Sequence, residues 1–277
     1  MRASVKRALA AVVLFAAVLA LTFPTDQVVR WLLTRIPLPE GRVITFQHAR
    51  LRPWGLVFDD VAYGRRDGST VLDAAWLQLR PSWSLLRGGF PLHVAAGVLG
   101  GVMDARIDPS GPRRIVDVSW TDLEVGRLLT ILQAGDALRG RTTGRLGLKL
   151  PITDPARGDG EGELTLHAAS WQPRLRALED IAVHADTVTL RWALGDRRFQ
   201  LSSFNLRGEE LDLTAQGQVL LAQALGGSTL DVRVTIVPLA AAPRELLRLL
   251  DTLPRRSDGM RDFRLTGTLD APRVSPP

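Results

Sequence analysis

The 277-residue chain has no cysteine, one tyrosine and four histidines, and only two of its 35 basic residues, Lys6 and Lys149, are lysine. The absence of cysteine excludes disulfides, thiol nucleophiles and cysteine-ligated zinc together. It does not fix the compartment, because a chain of this length can bury enough core to fold without disulfides. His48, His93, His167 and His184 have neither His-x-x-x-His nor His-Glu-x-x-His spacing, so they read as structural residues and no metal centre is expected. There is no phosphate-binding Gly-rich loop, no nucleophile elbow and no dinucleotide fingerprint. The expectation is a protein that is not an enzyme and uses no cofactor.

The chain is basic, with a formal charge of +6 and a pI of about 10.9. Arg2, Lys6 and Arg7 supply half of that charge, and the remaining arginines alternate with acids along the chain. No basic block with interleaved aromatics occurs, so no nucleic-acid partner is expected. Hydrophobic residues at 45% and charged residues at 23% suit a folded chain, not a disordered one.

Residues 1–24 read as a membrane anchor. Three positive charges precede an apolar run from Ala8 to Phe23, including Ala8, Val12, Leu14, Phe15, Leu19 and Leu21. As a helix the run is about 24 Å long, slightly short of a hydrocarbon core of roughly 30 Å. Ser4, Val5 and Thr22 can extend it, and a bilayer thins locally to fit. The flanking charge puts the N-terminus in the cytoplasm and the bulk of the chain in the periplasm, as a single-pass inner-membrane protein. Val18-Leu19-Ala20 would also serve as a signal-peptide cleavage site. A retained anchor is favoured, because the apolar run is long and a helix follows it directly.

That helix falls in residues 25–39. Thr25 can cap it, Asp26 suits its first turn, and Val28, Val29, Leu32, Leu33 and Ile36 form a stripe with Trp31 at its edge. Packing on the end of a domain is favoured over lying at the membrane surface.

The rest, residues 40–277, reads as mainly β. Leu146 and Leu148, Leu211 and Leu213, and Val232 and Val234 sit in stretches that alternate apolar with polar residues, as Leu265 does near the C-terminus. Such alternation marks antiparallel strands with one buried face and one wet face. With Trp192, these residues are candidates for an apolar groove or core face. Two later segments read as helices. One covers 122–134, with Thr121 and Glu124 as a capping box and Gly135 as its C-cap; the other covers 243–253 and opens at Pro243.

Each of these helices leads into an Arg-containing connection and a strand ending near a proline. EGRV (40–43) resembles EGEL (161–164), Pro53 matches Pro173, and FDDVA (58–62) resembles LEDIA (178–182). The domain therefore reads as two repeats, about 40–151 and 161–272. Asp59-Asp60 and Glu179-Asp180 recur with the repeat, as strand-entry turns would. Asp154, Asp159, Glu161 and Glu163 lack the spacing of a calcium loop and read as a solvated connection. TGTLDAP closes the second repeat, with Pro272 ending the strand.

FPTDQVVRWLL after a short anchor, the FDDVA and LEDIA strand starts, LQLRPSWSLLRG (77–88) and the ending LTGTLDAPRV resemble the type II secretion system protein N family (GspN), which are AsmA-like periplasmic proteins. The resemblance covers essentially the whole chain. It implies an inner-membrane-anchored protein with a long curved antiparallel sheet and capping helices, an accessory component of type II protein secretion with other secretion components as partners. It implies no catalytic residue. Related AsmA-like proteins have an apolar sheet interior, and some are linked to lipid movement.

Trp54, Trp76, Trp83, Trp120, Trp171 and Trp192 stand in or beside these strands, either as sheet packing or as the lining of a groove for an apolar ligand. An open sheet with one apolar face needs helices, a partner or lipid to cover it. The function expected is that of a non-enzymatic, inner-membrane-anchored periplasmic accessory component of type II protein secretion; the alternative is an AsmA-like lipid-binding or lipid-transfer protein of the cell envelope. Apolar lining that runs from one end of the sheet to the other points to lipid. A short gutter plugged by the chain's own helices points to a scaffold.

Overall fold

The alternating stretches form one antiparallel sheet of 15 strands. The computed structural model describes residues 25–33, 41–52, 55–65, 70–81, 91–131, 138–151, 158–172, 183–222, 224–256 and 258–277. The strands are β1 (Arg42–Thr45), β2 (His48–Arg52), β3 (Gly55–Arg65), β4 (Thr70–Pro81), β5 (Leu92–Val98), β6 (Gly101–Asp108), β7 (Arg113–Glu124), β8 (Leu138–Pro151), β9 (Asp159–Trp171), β10 (Val183–Gly195), β11 (Arg198–Arg207), β12 (Leu211–Leu220), β13 (Thr229–Pro238), β14 (Arg261–Thr268) and β15 (Pro272–Ser275). From β3 onward each strand pairs with the next in sequence, while β1 and β2 lie end to end along β3.

The turns follow from local chemistry. Asp196 and Arg197 both take positive φ, 49° and 60°, between β10 and β11, the geometry of a two-residue hairpin turn matched to strand twist. At the β6–β7 turn the Asp108 carboxylate accepts the Ser110 N–H at 2.9 Å. That bond holds the Asp108 carboxyl below its usual range. Between β12 and β13, Ser228 is fully buried and its Oγ accepts the Ala222 N–H at 3.1 Å. Ser228→Ala leaves that donor unpaired. We expect a loss of about 1 kcal/mol in chemical denaturation, and an unchanged midpoint would exclude the role.

Three short α-helices are described: α1 (Thr25–Leu33), α2 (Val125–Ile131) and α3 (Arg244–Leu250). None is long and apolar enough to cross a membrane. The run 1–24, with Ala8, Val12, Leu14, Phe15, Leu19 and Leu21, lies outside the described residues, as do Gly135 and the LEDIA segment. Val29 of α1 is buried with Phe46, Ala49 and Phe58. The Asp26 carboxylate accepts the Ala49 N–H, and Arg30 reaches the Phe46 carbonyl at 3.1 Å and lies over its ring. Trp31 is 57% exposed.

Three local expectations need correction. Thr121 and Glu124 do not cap a helix. They end β7, and α2 begins at Val125. The β7 backbone keeps its ladder as far as Glu124, which pairs with Arg141, so pairing outcompetes the cap. Asp59-Asp60 is not a strand-entry turn. It lies inside β3, where Asp60, at φ 50°, is passed over by the ladder between Asp59↔Trp76 and Val61↔Ala74 with no change of register. Pro272 does not end the sheet. The chain turns through 269–271, and Pro272 opens β15 at the edge, where its missing N–H costs no ladder bond.

Candidate functional site

The register sorts the side chains onto two faces of opposite character. One face carries three apolar rows that cross the strands. The first runs Leu51, Leu56, Leu79, Val94, Ala105, Val118, Leu146, Gly162, Trp192, Leu201, Gly217, Val232, Leu265 and Val274, each directly opposite the next. It touches every strand from β2 to β15 without a polar residue. At roughly 4.8 Å per strand it extends about 60 Å along the sheet. A second row, two residues along each strand, runs from Ala49 and Phe58 through Ala96, Met103, Trp120, Leu164, Leu190 and Phe204 to Val234 and Phe263. The third, on the other side of the first, includes Leu92, Ile107, Val116, Leu148, Leu194, Phe199, Val219 and Leu230.

The eight residues singled out in the sequence all lie on this face. Leu146, Trp192, Val232 and Leu265 belong to the first row, Val234 to the second and Leu148 to the third, while Leu211 and Leu213 lie at the helix end of β12.

The helices cover this face unevenly. Leu128 and Ile131 of α2 pack on Ala96, Val98, Leu123, Met103 and Trp120, and Val125 and Leu129 on Leu166, Ala169 and Val188. Leu246 and Leu250 of α3 pack on Leu211, Val234, Ile236 and Phe263. These contacts cover the second row except at Leu190, together with the strand ends beyond it. The third row, and Val94, Val118, Leu146 and Trp192 of the first, belong to none of these clusters and stay partly open to solvent. Trp192 and Phe199 stack there at 5.6 Å with planes 27° apart.

Three tryptophans stand directly opposite glycines: Trp76 opposite Gly97, Trp120 opposite Gly144 and Trp192 opposite Gly162. In each pair a Cβ on the glycine would meet the indole at under 3 Å. The glycine gives the ring a place to lie on the strand, and the ring replaces the packing that the glycine lacks. No alternation pattern reveals this pairing, because it depends on register between distant segments.

The opposite face is polar. Thr143, Thr165, Thr189, Asn205, Thr214, Thr235 and Asp262 form one row across seven strands. In the adjacent row Glu163 lies between Arg145, at 2.9 Å, and Arg191, at 3.5 Å. A cavity of about 620 Å³ opens on this face, its lining including Asp104, Arg106, Asp117, Arg145, Glu163 and Arg191. Its charges largely cancel, and no acyl or phosphate ligand is favoured there. Asp231 is held below the usual carboxylate range by its hydrogen bond from Arg264. The four histidines are dispersed over β2, β5, β9 and β10. Asp159, Glu161 and Glu163 do not form a solvated connection but stand in β9, paired with β8; Asp159 and Glu163 are engaged by Arg113 and Arg145, and no group of side chains able to hold a metal ion occurs among the described residues.

Of the tryptophans, Trp76 faces the polar side, Trp120 and Trp192 the apolar side, and Trp171 is 45% exposed at the end of β9. Trp54 and Trp83 lie outside the described residues.

No family model matches this chain, and no curated protein or solved structure matches it.

Proposed function

We propose that this chain is a non-enzymatic, inner-membrane-anchored periplasmic protein that holds acyl chains on the open part of its apolar sheet face, as a lipid-binding or lipid-transfer protein of the cell envelope. One observation carries the reading: the apolar rows continue from one edge of the sheet to the other, while the described helices cover only one margin. A scaffold with its own closed core has no need of an apolar face left open over so many strands, since large exposed apolar patches are rare on proteins without a partner for them. The AsmA-like resemblance, with its curved sheet of two repeats, points the same way.

A second reading is an accessory role in type II protein secretion, with other secretion components as partners. It rests on the protein N family resemblance, and is favoured by open sheet edges at β1–β2 and β15, where a partner's strand can add.

A strain lacking the chain separates the two. Lipid handling predicts normal secretion and an envelope that admits detergent and large antibiotics. Exported enzymes held in the periplasm behind a tight outer membrane would instead establish the secretion role and remove lipid handling as the primary one.

A further inference from the structure

The two charged residues that the register puts on the apolar face across β4–β14 stand at opposite margins. Arg261, opposite Ile236, is buried beside α3, where its Nη2 donates to the Asp251 carboxylate. Arg114, opposite Leu150 and two residues before Val116, is exposed at the far ends of the strands and has no ion-pair partner among the described residues. Its neighbour Arg113, on the polar side, is paired with Asp159 at 2.8 Å.

The open apolar strip thus has a closed margin and an open one. Along β8, Leu150, Leu148 and Leu146 lead inward from the Arg114 margin to Gly144, whose partner Trp120 is packed beneath α2. Six residues of strand cover about 20 Å. A single leaflet, half of a hydrocarbon core of about 30 Å, is about 15 Å deep. An acyl chain lying along the strands therefore fits between the open margin and the helices. Laid across the strands, the same lipid would place its headgroup over Leu146 or Trp192, far from any charge on that face. Across the sheet, the strip from β5 to β13 covers eight strand spacings, roughly 38 Å, which leaves room for more than one lipid side by side.

We propose, on the basis of the acyl-chain reading above, that the ligands are anionic diacyl phospholipids lying parallel to the strands, with phosphate groups at the Arg114 margin and chain ends against α2 and α3. A guanidinium recognises phosphate through paired charge-assisted hydrogen bonds. On the anchor reading proposed above, the apolar run at residues 8–23 ends two positions before α1 in the sequence, and Val29 of α1 packs on β2 and β3.

The test uses the purified full chain with dioleoylphosphatidylglycerol or dioleoylphosphatidylcholine in mixed micelles, read by native mass spectrometry. The expected result is more than one phosphatidylglycerol per chain and weaker binding of phosphatidylcholine. Arg114→Glu should lower phosphatidylglycerol affinity on the order of tenfold, the loss of one charge-assisted contact, while Arg114→Lys keeps most of the preference. A phosphatidylglycerol with a photoreactive group at the chain terminus should label residues 120–131 and 244–250. If lipid binds with no effect of Arg114→Glu, or if the terminal label falls along the third row, the orientation is wrong though the acyl-chain reading survives. If neither lipid binds, that reading itself fails.

Discussion

Gly162→Val is expected to destabilise the protein by about 2–3 kcal/mol, within the usual cost of overpacking a fitted site. A Cβ at Gly162 would come within 2.6 Å of the Trp192 ring atoms Cε2 and Cζ2. The ring is also stacked on Phe199, so moving it away sacrifices a second contact. Valine adds two further methyl groups on the same side. The change should appear as a lower denaturation midpoint and a loss of the near-ultraviolet signal from a fixed indole. Trp192→Ala in the Gly162→Val background should recover part of the loss, because the two positions are in contact and their effects are not additive. Strictly additive losses would show that the ring does not lie on Gly162.

The second large effect is expected at Asp262, which is 2% exposed. Its carboxylate accepts from Arg233 Nε at 3.1 Å and Nη2 at 2.6 Å, and Arg256 Nη1 and Thr235 Oγ1 each lie at 3.5 Å. It lies on the polar face of a single-layer sheet, so it is shielded by its partners' side chains and not by depth in a core. Asp262→Ala leaves Arg233 without its bidentate partner, and we expect a loss of about 2 kcal/mol.

The same site contributes to acid sensitivity. The hydrogen bonds from Arg233, opposed by desolvation and supported by the charges of Arg233 and Arg256, hold the Asp262 carboxyl below its usual range. A carboxyl depressed in the folded state stabilises it fully above the unfolded value, about pH 4. That contribution is lost as the pH falls from there through the folded value. Asp262→Asn should therefore flatten the acid limb of the stability profile below about pH 4 while lowering the neutral plateau. An acid limb unchanged by the substitution would place the sensitivity elsewhere.

Much of the fold was legible because alternation is a local signal. RLGLKL, LDLTAQGQVL and LDVRVTI declare both strand and face, and those stretches stand in β8, β12 and β13 with their leucines and valines on one side. The helix ends were less legible. Thr121 and Glu124 have the spacing of a capping box, yet the competing ladder to β8 lies in a segment that begins 14 positions later, at Leu138. Pro272 departs from the sequence expectation for a related reason. Proline prohibits a central strand but not an edge, and whether a strand is last is a property of the whole sheet. Arg114 carried no signal at all. One more arginine in an arginine-rich chain becomes notable only when the register shows every other open position around it to be apolar.

The order of the strands has a kinetic consequence. Every ladder from β3 onward joins consecutive strands, and the widest rung, Thr229 with Thr268, closes fewer than 40 positions of chain. Long sheets usually fold slowly because distant segments must find one another before any contact compensates for loop closure. Here each hairpin can add to the one before it, so the sheet can grow from its N-terminal edge as the chain emerges and never has to wait for its last residues. A chain cut after any hairpin would keep a shorter sheet with the same two faces, as in repeat proteins whose units touch only their neighbours.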